Sequence, residues 1–299
     1  MIKYESIKAH DGTAIRAARF EAQYELKGVI QIIHGFGEGL VHYKDVAGYF
    51  TDNGYACVIH DQRGFGEMPD MSTKQRHRAR GVAPGYKYLL DDVNTVRRNI
   101  DVWYPDVPVI LYGYSMGANI AACYLIKSAS EPNLGESGVS QLPNDAQYAK
   151  VILESPWLRL YKPLPKFTTL LARLIGKASG NVTISSSLNM DAISRNGDIA
   201  KNLRHDNVFH TRMSLRLYAE IVAAGEYVLE NADKIVAPTL LLCPGADKIV
   251  CPKAIREFAR RANANVMLTE YADGYHCLHA DTINAEVMAA MLDFCSGRE

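Results

Sequence analysis

Ser115 is the residue of this chain whose type and setting most directly suggest covalent chemistry. It is the serine of GYSMG, residues 113–117, a G-x-S-x-G pattern between the apolar run VPVILYG and a segment rich in small residues. Glycines at such a strand–turn–helix corner let the two backbones approach closely and leave the serine hydroxyl at the carboxyl edge of a sheet. The alternative is a serine that caps the following helix. The context favours a nucleophile.

A serine hydroxyl is a weak nucleophile near neutral pH and needs a histidine base that a carboxylate orients. In this architecture the partners follow in the chain order serine, acid, histidine. Of the nine histidines, only His276 and His279 lie beyond the last strand that could carry the acid. His276, in the glycine-containing turn YADGYHCLHAD, is the predicted base. His279 is predicted to be a capping or surface residue.

Two acids are candidates for the carboxylate. Asp247 lies in the open turn GADKIV after the penultimate predicted strand, and Glu154 ends VILESP one strand earlier. Asp247 is preferred because it is shorter and lies on the more open turn. Glu154 is predicted to contact the substrate or the cap, or to hold a water molecule near the site.

Acyl transfer also needs donors for the oxyanion, and backbone N–H groups supply them with little reorganisation. Met116, directly after the nucleophile, is one predicted donor. The other is Phe36 in the loop HGFGEG, where Gly35 and Gly37 allow the backbone to fold inward. His34, at the end of the preceding strand, is predicted to make a structural hydrogen bond to this loop.

The elements that must position these residues follow from hydrophobic patterning. Apolar runs rich in valine and isoleucine alternate with amphipathic stretches, which predicts a mostly parallel, doubly wound α/β sheet with right-handed crossovers. The predicted strands are 28–34, 55–61, 107–113, 150–156, 238–245 and 266–272, and the predicted helices are 44–53, 91–104, 116–127, 252–262 and 280–295. The opening segment alternates around an Asp-Gly turn and predicts an antiparallel hairpin.

The strand–helix alternation stops after residue 156 and resumes near 236, without a convincing buried strand between. This predicts an all-helical insertion and three parts: 1–156 as the first part of the core, 157–235 as a helical cap, and 236–299 as the second part of the core. Residues 131–147, rich in Pro, Asn, Gly and Ser, are predicted to form a surface loop.

Composition narrows the class of protein. The chain has 33 basic and 33 acidic residues, and its short basic run KQRHRAR lacks interleaved aromatics, so a nucleic-acid partner is not expected. The opening residues show no signal-type apolar core, and the six cysteines lack C-x-x-C spacing. These features favour a cytoplasmic protein with reduced thiols. We expect no cofactor and no metal, because no dinucleotide motif follows a strand and no ligand spacing stands out.

The order of five motifs resembles that of α/β-hydrolases of the monoacylglycerol lipase and lysophospholipase group, which are similar to serine aminopeptidases. The motifs are HGFGEG, DQRGFG, GYSMG, PGADKIV and DGYHCLH. The resemblance implies a triad of Ser115, Asp247 and His276, oxyanion donors at Phe36 and Met116, and a mainly helical cap. This chain differs at Tyr114, where histidine is usual, and at Glu67 and Glu154, where serine and a small residue are common.

The stretch 157–180 has five basic residues, no acid, and apolar residues at helical spacing. Such a segment could contact an anionic membrane surface and deliver lipid to the site, or it could pack as a cap helix on the core. In either case it forms a lid. The expected partners are therefore a small ester with an apolar acyl group and, peripherally, a membrane.

Together these residues predict a serine hydrolase that cleaves carboxylic esters through an acyl-enzyme. The resemblance narrows the substrate to a monoacylglycerol or lysophospholipid. An aminopeptidase or amidase on the same scaffold is the alternative, because Glu154 could recognise a free amine. A non-catalytic binding protein with a hydrolase-like fold is a third hypothesis, which the intact set of triad residues disfavours.

Overall fold

An eight-stranded sheet forms the centre of the protein. The computed structural model describes residues 1–68, 70–130, 148–163, 182–186 and 188–298. Across the sheet the strands lie in the order 2–8, 14–20, 55–60, 28–33, 109–114, 150–154, 239–244 and 266–271. The first two neighbouring pairs are antiparallel and the other pairs are parallel. The predicted opening hairpin and the predicted parallel strands are therefore confirmed.

The strands are Ile2–Lys8 (β1), Ala14–Phe20 (β2), Gly28–Ile33 (β3), Tyr55–His60 (β4), Val109–Tyr114 (β5), Lys150–Glu154 (β6), Thr183–Ser185 (β7), Arg212–Ser214 (β8), Thr239–Pro244 (β9) and Val266–Tyr271 (β10). The α-helices in the described residues are Lys44–Thr51 (α1), Thr73–Ala79 (α2), Tyr86–Trp103 (α3), Met116–Ser130 (α4), Gly197–His205 (α5), Leu215–Glu230 (α6), Pro252–Arg261 (α7) and Asn284–Ser296 (α8).

Helices cover both faces of the sheet, as the continuous apolar strands require. Buried residues of α3, α4, α6 and α7 pack with one face in a single hydrophobic cluster. Buried residues of α1 and α8 pack against the opposite face in a second cluster. Every residue of β3, β4, β5 and β9 is buried. The carboxyl ends of the parallel strands, where the candidate catalytic residues lie, thus meet at the edge of a rigid layer.

The predicted cap range 157–235 contains more than helices. β7 and β8 form a short antiparallel pair, so the prediction of an all-helical insertion is wrong at this point. Each strand has only three residues, which is too short for an alternating pattern to stand out in the sequence. The helix α6 also falls in the predicted cap range, yet its buried residues Leu217, Ile221 and Val228 belong to the main core cluster.

Two predicted segments lie wholly or mostly outside the described residues. These are the surface loop 131–147 and, within the stretch expected to contact a membrane, residues 164–181. Within the described parts of the chain, no helix combines the length and apolar character needed to cross a bilayer. All six cysteines are described and all are free thiols, five of them buried.

Candidate active site

Ser115 sits at the corner between β5, which ends at Tyr114, and α4, which begins at Met116. Its φ is +54°, in the left-handed region that non-glycine residues rarely occupy. Hydrogen bonds hold this conformation: the Ser115 N–H donates to the Glu154 carbonyl at 2.9 Å, and the Ser115 carbonyl accepts from the Trp157 N–H at 3.0 Å. The neighbouring strand therefore fixes the backbone of the serine.

The glycines on either side of this corner are required by close packing. A Cβ atom at Gly117 would lie 2.0 Å from the Ile33 carbonyl oxygen, and one at Gly113 would lie 2.6 Å from the Gly117 carbonyl oxygen. No side chain fits at either position without moving α4 away from β3 and β5. The predicted reason for the glycine pattern, close approach of strand and helix, agrees with this geometry.

Ser115, His276 and Asp247 form one hydrogen-bonded chain. The Ser115 Oγ and His276 Nε2 atoms are 2.8 Å apart, and His276 Nδ1 lies 2.7 Å from Asp247 Oδ2. The other Asp247 oxygen accepts the N–H groups of Ile249 at 2.6 Å and Val250 at 3.0 Å. The Asp247 side chain is 0% exposed and that of His276 6%. The three residues, which lie far apart in the sequence, therefore meet in the order hydroxyl, imidazole and carboxylate.

Ser155 holds the backbone of His276 and was not predicted from the sequence. Its hydroxyl donates to the His276 carbonyl at 2.7 Å, and its φ is +48°. Its position directly after β6 is the one available signal, because the carboxyl ends of parallel strands converge on the same edge. The Tyr114 ring, 5.2 Å between ring centroids from His276, packs against the same imidazole. These contacts restrain the loop that carries His276.

The loop that bears Phe36 is anchored by a buried carboxylate. Glu38 Oε2 accepts the Gly35 N–H at 2.9 Å and the Tyr43 hydroxyl at 2.8 Å. On the other side, the Gly37 carbonyl accepts the His210 N–H at 3.1 Å. These hydrogen bonds hold the backbone around Phe36 from two directions. Glu38 was not singled out in the sequence, although it follows the predicted oxyanion residue by two positions.

Phe36 and Met116 lie at the two predicted oxyanion positions. The Phe36 ring packs edge-on against Phe65 and Trp157, with ring centroids 5.8 and 6.2 Å away. Met116 is the first residue of α4, so its N–H has no acceptor within the helix. Both residues are thus on backbone segments whose position is set by packing and by helix geometry.

His34 makes structural contacts with its own loop, as predicted, and with Gln62. Its Nδ1 lies 2.9 Å from the Gly35 carbonyl oxygen, and its Nε2 accepts the Gln62 N–H at 3.0 Å. Complete burial lowers the pKa of His34 to about 3. The imidazole of His34 is therefore neutral, and its hydrogen bonds hold the loop in place.

Glu154 and His279 face each other inside the protein. Glu154 is 0% exposed, and its carboxylate faces His279 Nδ1 at 3.0 Å and the Tyr112 hydroxyl at 2.5 Å. Its carboxylate is therefore engaged by two side chains inside the protein. His279 is wrong as a surface or capping residue, because its side chain is only 8% exposed. No pattern in the sequence predicts that these two residues, 125 positions apart, pair with each other.

The charges of Glu154 and His279 stabilise each other. Burial alone would raise the pKa of Glu154, but the His279 ring outweighs it and holds the pKa below its usual value. Burial alone would lower the pKa of His279, but Cys277 and Glu154 beside the ring hold it well above its usual value. Cys277, Glu154 and His279 also form the one group in the described residues whose ligand atoms are close enough to hold a metal ion.

Several known proteins have similar sequences. The chain is 26% identical to an uncharacterized abhydrolase domain-containing protein of Dictyostelium discoideum and covers 26% of that protein's length. It is 25% identical to a putative monoglyceride lipase of Schizosaccharomyces pombe and covers 62% of it. It is 26% identical to the phospholipase YtpA of Bacillus subtilis over 89% of this chain and 94% of that protein. The chain thus spans only part of two of these relatives.

The fold also matches solved structures. The monoacylglycerol lipase of Paleococcus ferrophilus superimposes with a TM-score of 0.80 at 21% identity, over 96% of this chain and 100% of that one. This likeness shows that the sheet and its helical layers are those of the α/β-hydrolase fold. The family model described as serine aminopeptidase, S33, matches residues 24–283, which include all the residues of the hydrogen-bonded chain and both oxyanion positions. The chain therefore belongs to the serine aminopeptidase S33 family of α/β-hydrolases.

Proposed function

We propose that this protein hydrolyses carboxylic esters with Ser115 as nucleophile, His276 as general base and acid, and Asp247 as the orienting carboxylate. The single observation that carries the proposal is the continuous contact from Ser115 Oγ through His276 to Asp247, with distances of 2.8 and 2.7 Å. A base within hydrogen-bond reach of the nucleophile, itself oriented by a buried acid, is the arrangement that activates a hydroxyl.

In the proposed reaction, Ser115 Oγ attacks the ester carbonyl carbon while its proton passes to His276 Nε2. The negative charge that develops on the carbonyl oxygen is stabilised by the N–H groups of Phe36 and Met116. The intermediate collapses, the alcohol leaves with the proton from His276, and the acyl group stays on Ser115. A water molecule then attacks the acyl carbon while His276 takes one of its protons. The acyl–Oγ bond breaks as His276 returns that proton to Ser115 Oγ, and the acid is released. Asp247 remains ionised and stabilises the imidazolium.

For the substrate we propose an ester with an apolar acyl chain, of the monoacylglycerol or lysophospholipid type. The names of two relatives support this choice, since one is a putative monoglyceride lipase and another a phospholipase. The five basic residues and absent acids of 157–180 support a peripheral contact of the cap range with anionic lipid as part of the same proposal.

The state of Glu154 favours esters over peptides with a free amine. Recognition of an ammonium group needs an accessible acidic side chain, and Glu154 was the residue suggested for it. Its carboxylate is completely buried and already faces the His279 ring and the Tyr112 hydroxyl. An aminopeptidase would therefore need a different acidic group for its substrate.

Replacement of the nucleophile tests the proposal directly. Ser115→Ala should abolish turnover of p-nitrophenyl esters and labelling by a fluorophosphonate probe, with an unchanged circular dichroism spectrum. Ser128→Ala is the matched control, because Ser128 lies on the same helix α4 and its hydroxyl donates to the Tyr124 carbonyl of that helix. Ester turnover that survives in Ser115→Ala would overturn the assignment.

A substrate panel tests the class of ester. Initial rates on monoacylglycerols, lysophosphatidylcholines and aminoacyl amides of matched chain length should rank both lipid classes above the amides. The same panel with and without anionic vesicles tests the lipid contact, for which we expect faster hydrolysis and co-sedimentation with the vesicles. Faster turnover of the amides would support the aminopeptidase hypothesis instead.

A further inference from the structure

The loop that carries His276 is held from two sides. It spans residues 272–283, between the end of β10 and the start of α8. From the core, the Ser155 hydroxyl donates to the His276 carbonyl at 2.7 Å. From the predicted cap range, the Ile193 carbonyl accepts the N–H of Cys277, the residue directly after His276, at 2.7 Å. The position of the proposed base therefore depends on a segment that lies in the predicted cap range.

Asp281 binds backbone groups on both sides of this loop. Its Oδ2 atom accepts the N–H of Tyr275, the residue directly before His276, at 3.0 Å. Its Oδ1 atom accepts the Thr282 N–H at 2.5 Å and the Thr282 hydroxyl at 3.0 Å. The Asp281 side chain is 0% exposed. A buried carboxylate thus holds the backbone on the amino-terminal side of the imidazole.

Arg195, in the predicted cap range, provides the positive charge opposite this carboxylate. Its Nε atom donates to Asp281 Oδ1 at 2.7 Å, and its backbone N–H donates to Asp281 Oδ2 at 3.4 Å. A buried charge is costly unless a partner of opposite sign is present. Burial alone would raise the pKa of Asp281, but the Tyr275 N–H and Arg195 hold the pKa below its usual value. Without Arg195, the carboxylate would take up a proton more readily or turn away from Tyr275.

We propose that Arg195 is a positioning residue for ester hydrolysis, acting through Asp281 on the backbone that carries His276. This inference rests on the proposed function, in which His276 is the base. Contacts run from Arg195 to Asp281 and on to the Tyr275 N–H. The next residue carries the imidazole, whose Nε2 atom lies 2.8 Å from Ser115 Oγ. A displacement of about 1 Å at a reacting group can cost about 10²-fold in rate, so loss of the Arg195 charge should lower kcat and leave KM nearly unchanged.

Steady-state hydrolysis of a soluble p-nitrophenyl ester by the full chain tests this role. Arg195→Gln should lower kcat by about 10- to 100-fold, with KM within about twofold of the wild-type value. Arg195→Lys should recover most of the loss, because the side chain makes a single hydrogen bond to Asp281 that an ammonium group can also donate. Arg204→Gln is the matched control and should keep the wild-type kcat, since Arg204 pairs with Asp191 at 2.7 Å in the same range and both side chains are exposed. A wild-type kcat in Arg195→Gln, or a loss confined to KM, would overturn the proposal.

A double-mutant cycle shows whether Arg195 acts through Asp281. Asp281→Asn keeps the shape of the side chain and removes its charge, so this variant should also have a lower kcat. If the two residues act as one unit, the double variant Arg195→Gln/Asp281→Asn should lose little more kcat than Asp281→Asn alone. Losses that multiply in full would contradict action through Asp281.

Proton NMR of the full chain separates this proposal from the proposed function. The proton between His276 Nδ1 and Asp247 should give a far-downfield resonance, which is assigned by its loss in His276→Ala. Arg195→Gln should shift or broaden this resonance, and Arg204→Gln should leave it unchanged. An unchanged resonance in Arg195→Gln would reject the positioning role even if the wild type hydrolyses no ester. A resonance that responds to Arg195→Gln in a wild type without ester turnover would support the positioning of His276 and reject the proposed function alone.

Discussion

Asp247 divides its two carboxylate oxygens between two tasks. One oxygen accepts the N–H groups of Ile249 and Val250, and the other faces His276 at 2.7 Å. The first task fixes the direction of the second, because a carboxylate held by two backbone amides cannot rotate freely. At the scale of single residues, the orientation of the proposed base is therefore set by the backbone of one short turn.

Asp247→Asn should lower kcat by a factor on the order of 10⁴, because an amide favours the wrong tautomer of His276 while leaving its position intact. The variant should stay folded, since its side-chain oxygen can still accept from Ile249 and Val250. Steady-state hydrolysis of a p-nitrophenyl ester measures the effect. Asp273→Asn, which changes an exposed carboxylate on the same loop as His276, should retain wild-type rates. A loss smaller than tenfold in Asp247→Asn would argue against its role.

Ionisation of Asp91, on α3, lowers the stability of the folded protein, so its effect on stability depends on pH. Burial first, and then the Asp92 carboxylate, raise the pKa of Asp91 to about 6, and its Oδ1 atom has no hydrogen-bond partner in the described structure. The folded protein thus holds this proton more tightly than the unfolded chain. The stability that protonated Asp91 provides is complete below the ordinary value near 4 and is lost as the pH rises to about 6.

Asp91→Asn should therefore be more stable than the wild type above about pH 6, by about 1 kcal/mol after allowance for screening. The difference between the two free energies of unfolding should shrink as the pH falls towards 4. At that pH the folded wild type holds Asp91 in its protonated, neutral form, so its side chain carries no charge, like that of asparagine. Urea denaturation at several pH values measures the free energy of unfolding of both proteins. A difference that does not change with pH would contradict the assignment of this carboxyl.

At the scale of elements, the contact between α4 and β3 leaves no room for a side chain. A Cβ atom at Gly117 would meet the Ile33 carbonyl oxygen at 2.0 Å, a backbone atom that cannot move without moving the strand. Gly48 in α1 is the opposite case, since nothing lies within 4 Å of its Cβ position. Gly117 and Gly48 therefore allow a direct comparison of a helix glycine with no room for a side chain and a helix glycine with open space around it.

Gly117→Ala should destabilise the protein by at least about 2 kcal/mol and reduce ester hydrolysis, because α4 and Ser115 must shift. Gly48→Ala should instead stabilise it by about 0.5–1 kcal/mol, as expected for alanine in a helix interior. Thermal or urea unfolding of the two variants under the same conditions measures both effects. Equal stability of the two variants would contradict the packing argument.

The elements that the sequence predicts well are those with a strong local signal. The six parallel strands appear within one or two residues of their predicted ends, because each is a short run rich in apolar residues. Five of them are buried along nearly their whole length, and the edge strand β10 is mostly exposed. The helix α3 begins at Tyr86 rather than Asp91, since Gly85 ends the preceding turn and the first helical turn carries polar and aromatic residues. The β7–β8 pair has three residues in each strand and no comparable pattern.

The residues of the candidate site also fall into those that the sequence predicts and those that it does not. Ser115, His276, Asp247 and the oxyanion positions follow from motif and chain order, because each lies directly after a predicted strand. The partners of Glu154 and His279 depend on which side chains face each other across the sheet edge, and no periodicity encodes that. Glu38 and Ser155 likewise act through contacts that only the folded chain creates.

At the scale of the whole molecule, buried histidines make the folded state resistant to protonation. Burial lowers the pKa of His34 to about 3 and that of His60 and His210 to about 4. In the unfolded chain these groups bind protons near their ordinary value of 6.5. Between about pH 4 and 6.5 the unfolded state therefore holds more protons, and the stability of the fold decreases as the pH falls.

The free energy of unfolding should fall by up to about 3 kcal/mol per pH unit in this window, after the opposite contribution of Asp91 is included. His60→Gln should reduce that slope by about 1.4 kcal/mol per pH unit, because one of the three histidines no longer titrates. Urea denaturation in steps from about pH 7 to 4 gives both slopes. Identical slopes for the two proteins would show that His60 is not held neutral by burial.

His210 also joins distant parts of the chain. Its N–H donates to the Gly37 carbonyl, its Nε2 lies 3.0 Å from the Gly64 carbonyl oxygen, and its ring stacks on Phe65 at 5.2 Å between centroids. This part of the predicted cap range thus contacts the loop of the proposed oxyanion donor.

The steric demand at Gly113 and Gly117 has a consequence for ancestry. These glycines serve the architecture and not the reaction, so a descendant that had abandoned turnover would be under the same pressure to retain them. Ser115 would not be required by packing in this way, so substitutions at this position could accumulate. Retention of the two glycines in such a descendant would therefore indicate only that the fold is kept. Retention of the hydroxyl between them, together with its imidazole and carboxylate, would indicate that the proposed activity is kept as well.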